Sequence, residues 1–143
     1  MALSMNLSPV SFDQTMEDAF PDVDPGIRPF GSRVLVQIRT AKSKSSGGIQ
    51  LVQETREAVQ WNMQTARVRA LGPLAFKNRT SQETWPEGQW CDIGDFVRVP
   101  KYGGDKWERP IPKSEDMALF VIFNDLDLIG KIEIDPRDIV SFV

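Results

Sequence analysis

Beyond residue 28 the chain is dominated by short runs in which apolar and polar positions alternate. Residues 33–39 read RVLVQIR, which puts Val34, Val36 and Ile38 on one face of an extended strand. Residues 66–71 read ARVRAL, with Ala66, Val68 and Ala70 facing one way and Arg67 and Arg69 the other. Residues 95–99, DFVRV, follow an Asp-Ile-Gly turn. Residues 119–123, LFVIF, are wholly apolar and end at the turn residues Asn124 and Asp125. Residues 128–134 and 139–143 are further strand candidates. Short strands punctuated by Gly, Pro and Asp predict an all-β protein, a small β-barrel, with no long helix and no internal repeat.

Three stretches interrupt this pattern. Residues 40–60 are largely polar. Residues 73–90 form a long connection marked by Pro73, Pro86 and Gly88, just after Gly72. Residues 101–115 carry Tyr102, Gly103, Gly104, Pro110 and Pro112 and read as a loop. Long connections in a compact domain are functional or disordered.

The first 27 residues differ in character. They hold Asp13, Glu17, Asp18, Asp22 and Asp24, no Lys or Arg, and Pro9, Pro21 and Pro25. A short helical turn is expected around residues 14–20. Two readings stand: a flexible acidic tail, or an arm that packs Leu7, Val10, Phe12 and Phe20 against the rest. The expected organisation is an N-terminal extension, residues 1–26, followed by one β-barrel domain, residues 27–143.

Composition narrows the function. The chain of 143 residues carries a formal net charge of -3, and beyond the acidic extension 17 basic residues face 15 acidic ones. That balance argues against nucleic acid as the main partner. There is no histidine and a single cysteine, Cys91. Histidine-based triads and histidine metal sites are therefore excluded. An intrachain disulfide is excluded too, and Cys91 reads as a structural thiol in a reducing compartment. No GxxxxGK[ST] phosphate loop occurs. The carboxylate pairs Asp92/Asp95 and Asp125/Asp127 sit beside Gly or Asn at the ends of apolar runs. They read as turn residues whose side chains bond local backbone rather than as an acid–base pair. The expectation is a protein that is not an enzyme, with no catalytic residue and no cofactor or metal of its own. Without a signal-peptide pattern or an apolar run approaching ~20 residues, it is expected in the cytoplasm, away from membranes.

One segment stands out. Lys42-Ser43-Lys44-Ser45-Ser46-Gly47-Gly48-Ile49-Gln50-Leu51-Val52 runs from Lys and Ser through two glycines into an apolar pair at i and i+2. In an extended chain Ile49 and Leu51 point the same way. Such a segment suits docking into an apolar groove, with its shape adopted on binding. The same residues also fit a plain β-hairpin with a Gly-Gly turn.

The wider sequence resembles the co-chaperonin (GroES-like, ten-kilodalton chaperonin) family. Ile27-Arg28-Pro29-Phe30-Gly31-Ser32-Arg33-Val34-Leu35-Val36 is similar to that family's opening, residues 45–51 to its mobile loop and residues 66–72 to its next strand. Asp92-Ile93-Gly94-Asp95-Phe96-Val97 is similar to its Val-Gly-Asp turn, Lys101-Tyr102-Gly103 to its Tyr-Gly loop, and residues 118–132 to its closing strands. The motifs occur in the family's order from about residue 27 to 132. The resemblance implies a GroES-like β-barrel carrying a long mobile loop, about residues 40–60, and assembling into a heptameric ring. Gly47, Gly48, Ile49, Gln50, Leu51 and Val52 would be the chaperonin-binding residues. The partners implied are the apical domains of a GroEL-like chaperonin, further copies of the chain, and unfolded client proteins in the enclosed chamber. ATP would be bound by the chaperonin. In the family the first and last strands of neighbouring subunits pair, so residues 33–39 and 125–132 are the expected ring edges.

The chain departs from the pattern at Gln50, where the family has an apolar residue, and over residues 73–90, which do not match the family's roof hairpin. Residues 1–26 and 133–143 have no counterpart there. By the family's layout the extension and residues 73–90 would lie away from the loop. Some bacteriophages encode altered lids of this kind, and a phage origin, with action in the host cytoplasm, is consistent with these departures. Two other readings stand beside the lid. An oligonucleotide-binding barrel would stack bases on Trp61, Trp85, Trp90 and Trp107 and meet phosphates with Arg67 and Arg69. A virion structural or decoration protein would use residues 1–27 as an adhesive arm.

Overall fold

The structure, a computed structural model, describes residues 9–10, 15–41, 60, 62–139 and 141–142. Apart from the helical turn α1 (Met16–Ala19), helical residues at 60 and 62, and short 3-10 turns, the described elements are strands. These are β1 (Pro9–Val10), β2 (Arg33–Ile38), β3 (Thr65–Leu71), β4 (Phe96–Arg98), β5 (Asp105–Pro110), β6 (Met117–Asn124), β7 (Gly130–Lys131) and β8 (Ser141–Phe142). Six of them form one antiparallel sheet in the order β5-β6-β2-β3-β4-β7, and β1 pairs with β8. The all-β architecture expected from the alternation is the one observed, a sheet with its main core on one face and a smaller outer cluster of Val23, Leu35, Ala118 and Phe120 on the other.

That core gathers Val34, Val36 and Ile38 of β2, Ala66 and Val68 of β3, Val97 of β4, and Leu119, Val121 and Phe123 of β6. The alternating pattern places β2 and the first half of β3 correctly. Beyond Val68 it fails. Val36 pairs with Val68 but Leu35 pairs with Ala70, so a bulge at Arg69 shifts the register. A one-residue shift exchanges the faces of a strand. Ala70 therefore packs with the outer cluster and Leu71 takes the inward place.

Strand β5 lies within the stretch expected to be a loop. Its residues are half-buried or exposed and carry charges in succession, Asp105, Lys106, Glu108 and Arg109. Charged side chains suit an unpaired outer edge, and they erase the apolar alternation by which a strand is read. The expected strands at 128–134 and 139–143 reduce to two paired residues each.

One end of the barrel is closed by residues 73–91. Phe76 is fully buried with φ 62, a left-handed conformation unusual for its type. Its N–H donates to the buried Asp125 carboxylate at 2.9 Å. Trp85 meets Phe76 edge-on at 5.6 Å, and Trp90 packs on Trp85 at 4.8 Å. Asp125 thus bonds backbone, but not the local backbone expected of a turn residue: its target is 49 positions away in sequence, brought near by the packing of residues 73–91 on the core. Asp95 does bond locally, its carboxylate accepting the Asp92 N–H at 2.8 Å.

Candidate functional site

The docking residues expected from sequence, Gly47, Gly48, Ile49, Gln50, Leu51 and Val52, lie outside the described residues. Of the base from which their segment departs, residues 38–41, 60 and 62–65 are described. Strands β2 and β3 are antiparallel neighbours, so the chain leaving Ile38 must return to Thr65. The ladder extends one residue past β2, with Arg39 N–H donating to Thr65 O at 3.0 Å.

Gln60 ties the two roots together. Its side-chain Oε1 accepts the Ala41 N–H at 2.5 Å and its Nε2 donates to Arg39 O at 3.2 Å. Gln60, Ala41 and Met63 are all buried. A buried amide that uses both ends on backbone groups is a specific connection, since each group left unpaired there would be costly.

Two further segments meet at this base. Thr40 N–H donates to Ala19 O at 2.8 Å, which brings α1 against the outgoing root. The Arg39 guanidinium donates to the carbonyls of Arg137 and Ile139 at 3.3 and 3.4 Å. Burial lowers the Arg39 pKa from its ordinary value, with Asp135 opposing that effect. Asp135 itself pairs with Arg137 at 2.6 Å, and hydrogen bonds from Arg137 hold its carboxyl down at about 2. The extension, expected from the family layout to lie away from the segment, and the C-terminal tail, which has no counterpart in the family, both bond its outgoing root. Nothing in the alternation around Gln60 or Arg39 signals these contacts, because they depend on partners 19 or more positions away.

Cys91 is buried, and burial, with Asp95 beside it, pushes its thiol up to about 11. Among the described residues no cluster of three or more His, Cys, Asp or Glu is placed to hold a metal ion. No helix among them is long and apolar enough to cross a membrane.

Among the described residues, the aromatic and basic side chains that a nucleic-acid reading would use are engaged elsewhere. Trp85 and Trp90 pack against the core, and Trp61 lies outside the described residues. Trp107 stacks on Phe120 at 6.0 Å and donates its indole N–H to Pro25 O at 2.7 Å. The Arg67 guanidinium lies 5.8 Å from the Phe96 ring centre, and Arg69 bonds Gln37 at 2.6 Å and Asp22 at 3.2 Å.

The edges of the sheet also differ from expectation. Strand β2 is paired on both sides, by β3 and β6, so residues 33–38 offer no free edge. The outer strands are β5 and β7. A groove of about 390 Å³ beside the start of β5 is lined by Ile27, Phe30, Arg33, Asp105 and Ile122 among others, and Phe30 is 69% exposed. Beside β7, the apolar Leu126, Ile129 and Ile134 stand in solvent.

The sequence model for the family described as the chaperonin 10 Kd subunit matches residues 26–132, which span β2 to β7. The chain is 29% identical over 107 residues to a protein of Tetragenococcus halophilus named co-chaperonin GroES, covering 75% of this chain and 99% of that one. It is 36% identical over 105 residues to the mitochondrial 10 kDa heat shock protein of Schistosoma japonicum, covering 73% and 89%. The mitochondrial 10 kDa heat shock protein of Saccharomyces cerevisiae is 29% identical over 109 residues, covering 76% and 91%.

Proposed function

Because the chain belongs to the chaperonin 10 kDa subunit family, with a co-chaperonin role, we propose that it forms a ring-shaped lid on a GroEL-type chaperonin and encloses unfolded client proteins for folding. The observation that carries this reading is the family match over residues 26–132, continuous across the barrel. Consistent with it, the Lys- and Ser-rich segment bearing Ile49 and Leu51 departs from a base clamped on both roots.

The docking energetics follow from the residue types. Gly47 and Gly48 let the chain turn close to a partner's surface, and Ile49 and Leu51, with Val52, enter an apolar groove on a chaperonin apical domain. Each fully buried apolar side chain is worth ~1.5–3 kcal/mol. Fixing the backbone costs ~1–2 kcal/mol per residue. One segment alone therefore binds weakly. Several on one ring bind strongly, since every contact after the first is intramolecular. Gln50 puts a polar group between the two anchors and keeps each contact weak. The ATP cycle belongs to the chaperonin, and this chain performs no reaction of its own.

Ring closure requires a head-to-tail contact between two different surfaces of the chain. The unpaired outer edge of β7, flanked by exposed Leu126 and Ile129, is one. The groove at Ile27 and Phe30, with its exposed aromatic ring, is the complementary one. A heptamer is the ring size that the family implies.

The test is electron microscopy of the purified protein together with co-sedimentation on a GroEL-type chaperonin. The expected result is a ring that binds the chaperonin only with nucleotide present. A stable monomer, or no binding in any nucleotide state, overturns the reading.

A further inference from the structure

The family match begins at residue 26, so residues 15–25 are outside the shared barrel. They are nonetheless built into this one. From Phe20 to Pro25 they cross the outer face of the sheet from one side to the other. The Phe20 ring packs on Phe96 of β4 at 5.0 Å. Pro21 O accepts the Gln37 side-chain amide of β2 at 2.8 Å, and Asp22 pairs with Arg69 of β3 at 3.2 Å. Val23 is buried with Leu35, Ala118 and Phe120. Pro25 O accepts from Trp107 of β5 at 2.7 Å, and Asp24 O from Arg109 at 3.3 Å.

The strands are matched to this covering. Gln37 is a polar residue with no exposure, in the middle of the sheet. Its amide is taken by Pro21 O and its carbonyl oxygen by Arg69. Removing residues 15–25 would strand a buried amide and uncover Leu35 and Phe120. At the other end, the turn α1 is closed by reciprocal bonds between Thr15 and Asp18. Its last residue, Ala19, is fully buried and presents its carbonyl to Thr40 N–H at 2.8 Å. Thr40 stands one residue before the end of the described root.

We propose that residues 15–25 are a positioning strap: they seal the outward face of the sheet and, through Ala19, fix the root from which the 42–59 segment leaves the barrel. The consequence for capping rests on the co-chaperonin reading, and the mechanical part does not. With the root fixed, less chain has to be ordered when the segment docks, so the contact is stronger than a loose root would give. The strap is thereby a determinant of docking strength that lies outside the docking residues.

The test uses the full chain with Phe20→Ser and Val23→Ser together, followed by amide hydrogen exchange. The Trp107 indole N–H signal reports whether the strap has left. The expected result is exchange at Thr40 faster by about tenfold, the loss of one stabilised hydrogen bond, with Val36 and Val121 unchanged. Strap release without a change at Thr40 overturns the proposal. Equal loss of protection across the whole of β2 and β6 also overturns it, because the strap would then be only a layer of the core. If the double variant does not fold, Val23→Ala is read by the same two criteria, with a smaller acceleration at Thr40. Nucleotide-dependent binding to a GroEL-type chaperonin should weaken several-fold in the strap variant with the ring intact. Unchanged binding overturns the effect on docking while leaving the lid reading in place. Failure of the unaltered chain to bind overturns the lid reading, and exchange at Thr40 still decides the root.

Discussion

Gln60 holds Ala41 across the gap between β2 and β3: its side-chain Oε1 accepts the Ala41 N–H at 2.5 Å while its Nε2 donates to Arg39 O. One side chain thus closes a loop whose two ends belong to neighbouring strands. Replacing it with alanine removes both of these bonds to buried backbone groups. Gln60→Ala should lower stability by about 1–3 kcal/mol, measured as a shifted midpoint in urea. An unchanged midpoint would mean that water reaches these groups and that the clamp is dispensable.

Ile49→Ser with Leu51→Ser should leave the barrel and the ring as they are and abolish chaperonin capping. Each removed side chain forfeits ~1.5–3 kcal/mol of burial, and the loss is repeated in every subunit. Gln50→Leu should act the other way, tightening capping and slowing release. The measurement is nucleotide-dependent binding, with ring assembly followed in parallel. Normal capping by the double variant would remove these residues from the docking role, and unfolding would place them in a hairpin core.

A charge at the β7 edge should open the ring. Ile129 is exposed, and its N–H continues the β4–β7 pairing by donating to Arg98 O at 3.0 Å. Ile129→Asp keeps that backbone bond and puts an ionised group where an apolar contact between subunits is proposed. Light scattering should show monomers at micromolar concentration, with an unaltered circular dichroism spectrum. An intact ring would direct attention to the outer edge of β5.

Cys91 should be nearly inert while the protein is folded. Its thiol moves from 9.0 to about 11, chiefly through burial, so at pH 8 the reactive thiolate is about 100-fold scarcer than in the unfolded chain. Because the folded value is raised, the thiolate fraction grows only as pH climbs toward 11. Reaction with a thiol reagent should be slow in native buffer and fast in denaturant. Fast native labelling would show that the region around Cys91 opens readily.

How much of this the sequence determines by itself is clear from particular residues. Val34, Val36, Ile38 and Val68 reach the core because strand periodicity is local, and alternate side chains of a strand share a face whatever lies across from them. Turn residues such as Asp92 and Asp95 are legible for the same reason, since their bonds span three positions. The order of motifs carried the family as well.

The tertiary structure alone decided the rest. Ala70 changes face because of a bulge set by its pairing with β2, and β5 is a strand only because β6 lies beside it. Arg33 to Ile38 is an inner strand rather than a ring edge, which depends on the order of strands and not on their composition. The base of the 42–59 segment joins Ala19, Arg39, Gln60 and Ile139, residues with no shared period. Their contacts arise where separate parts of the chain meet, and a pattern read along one chain holds no information about which carbonyl will stand opposite a buried amide.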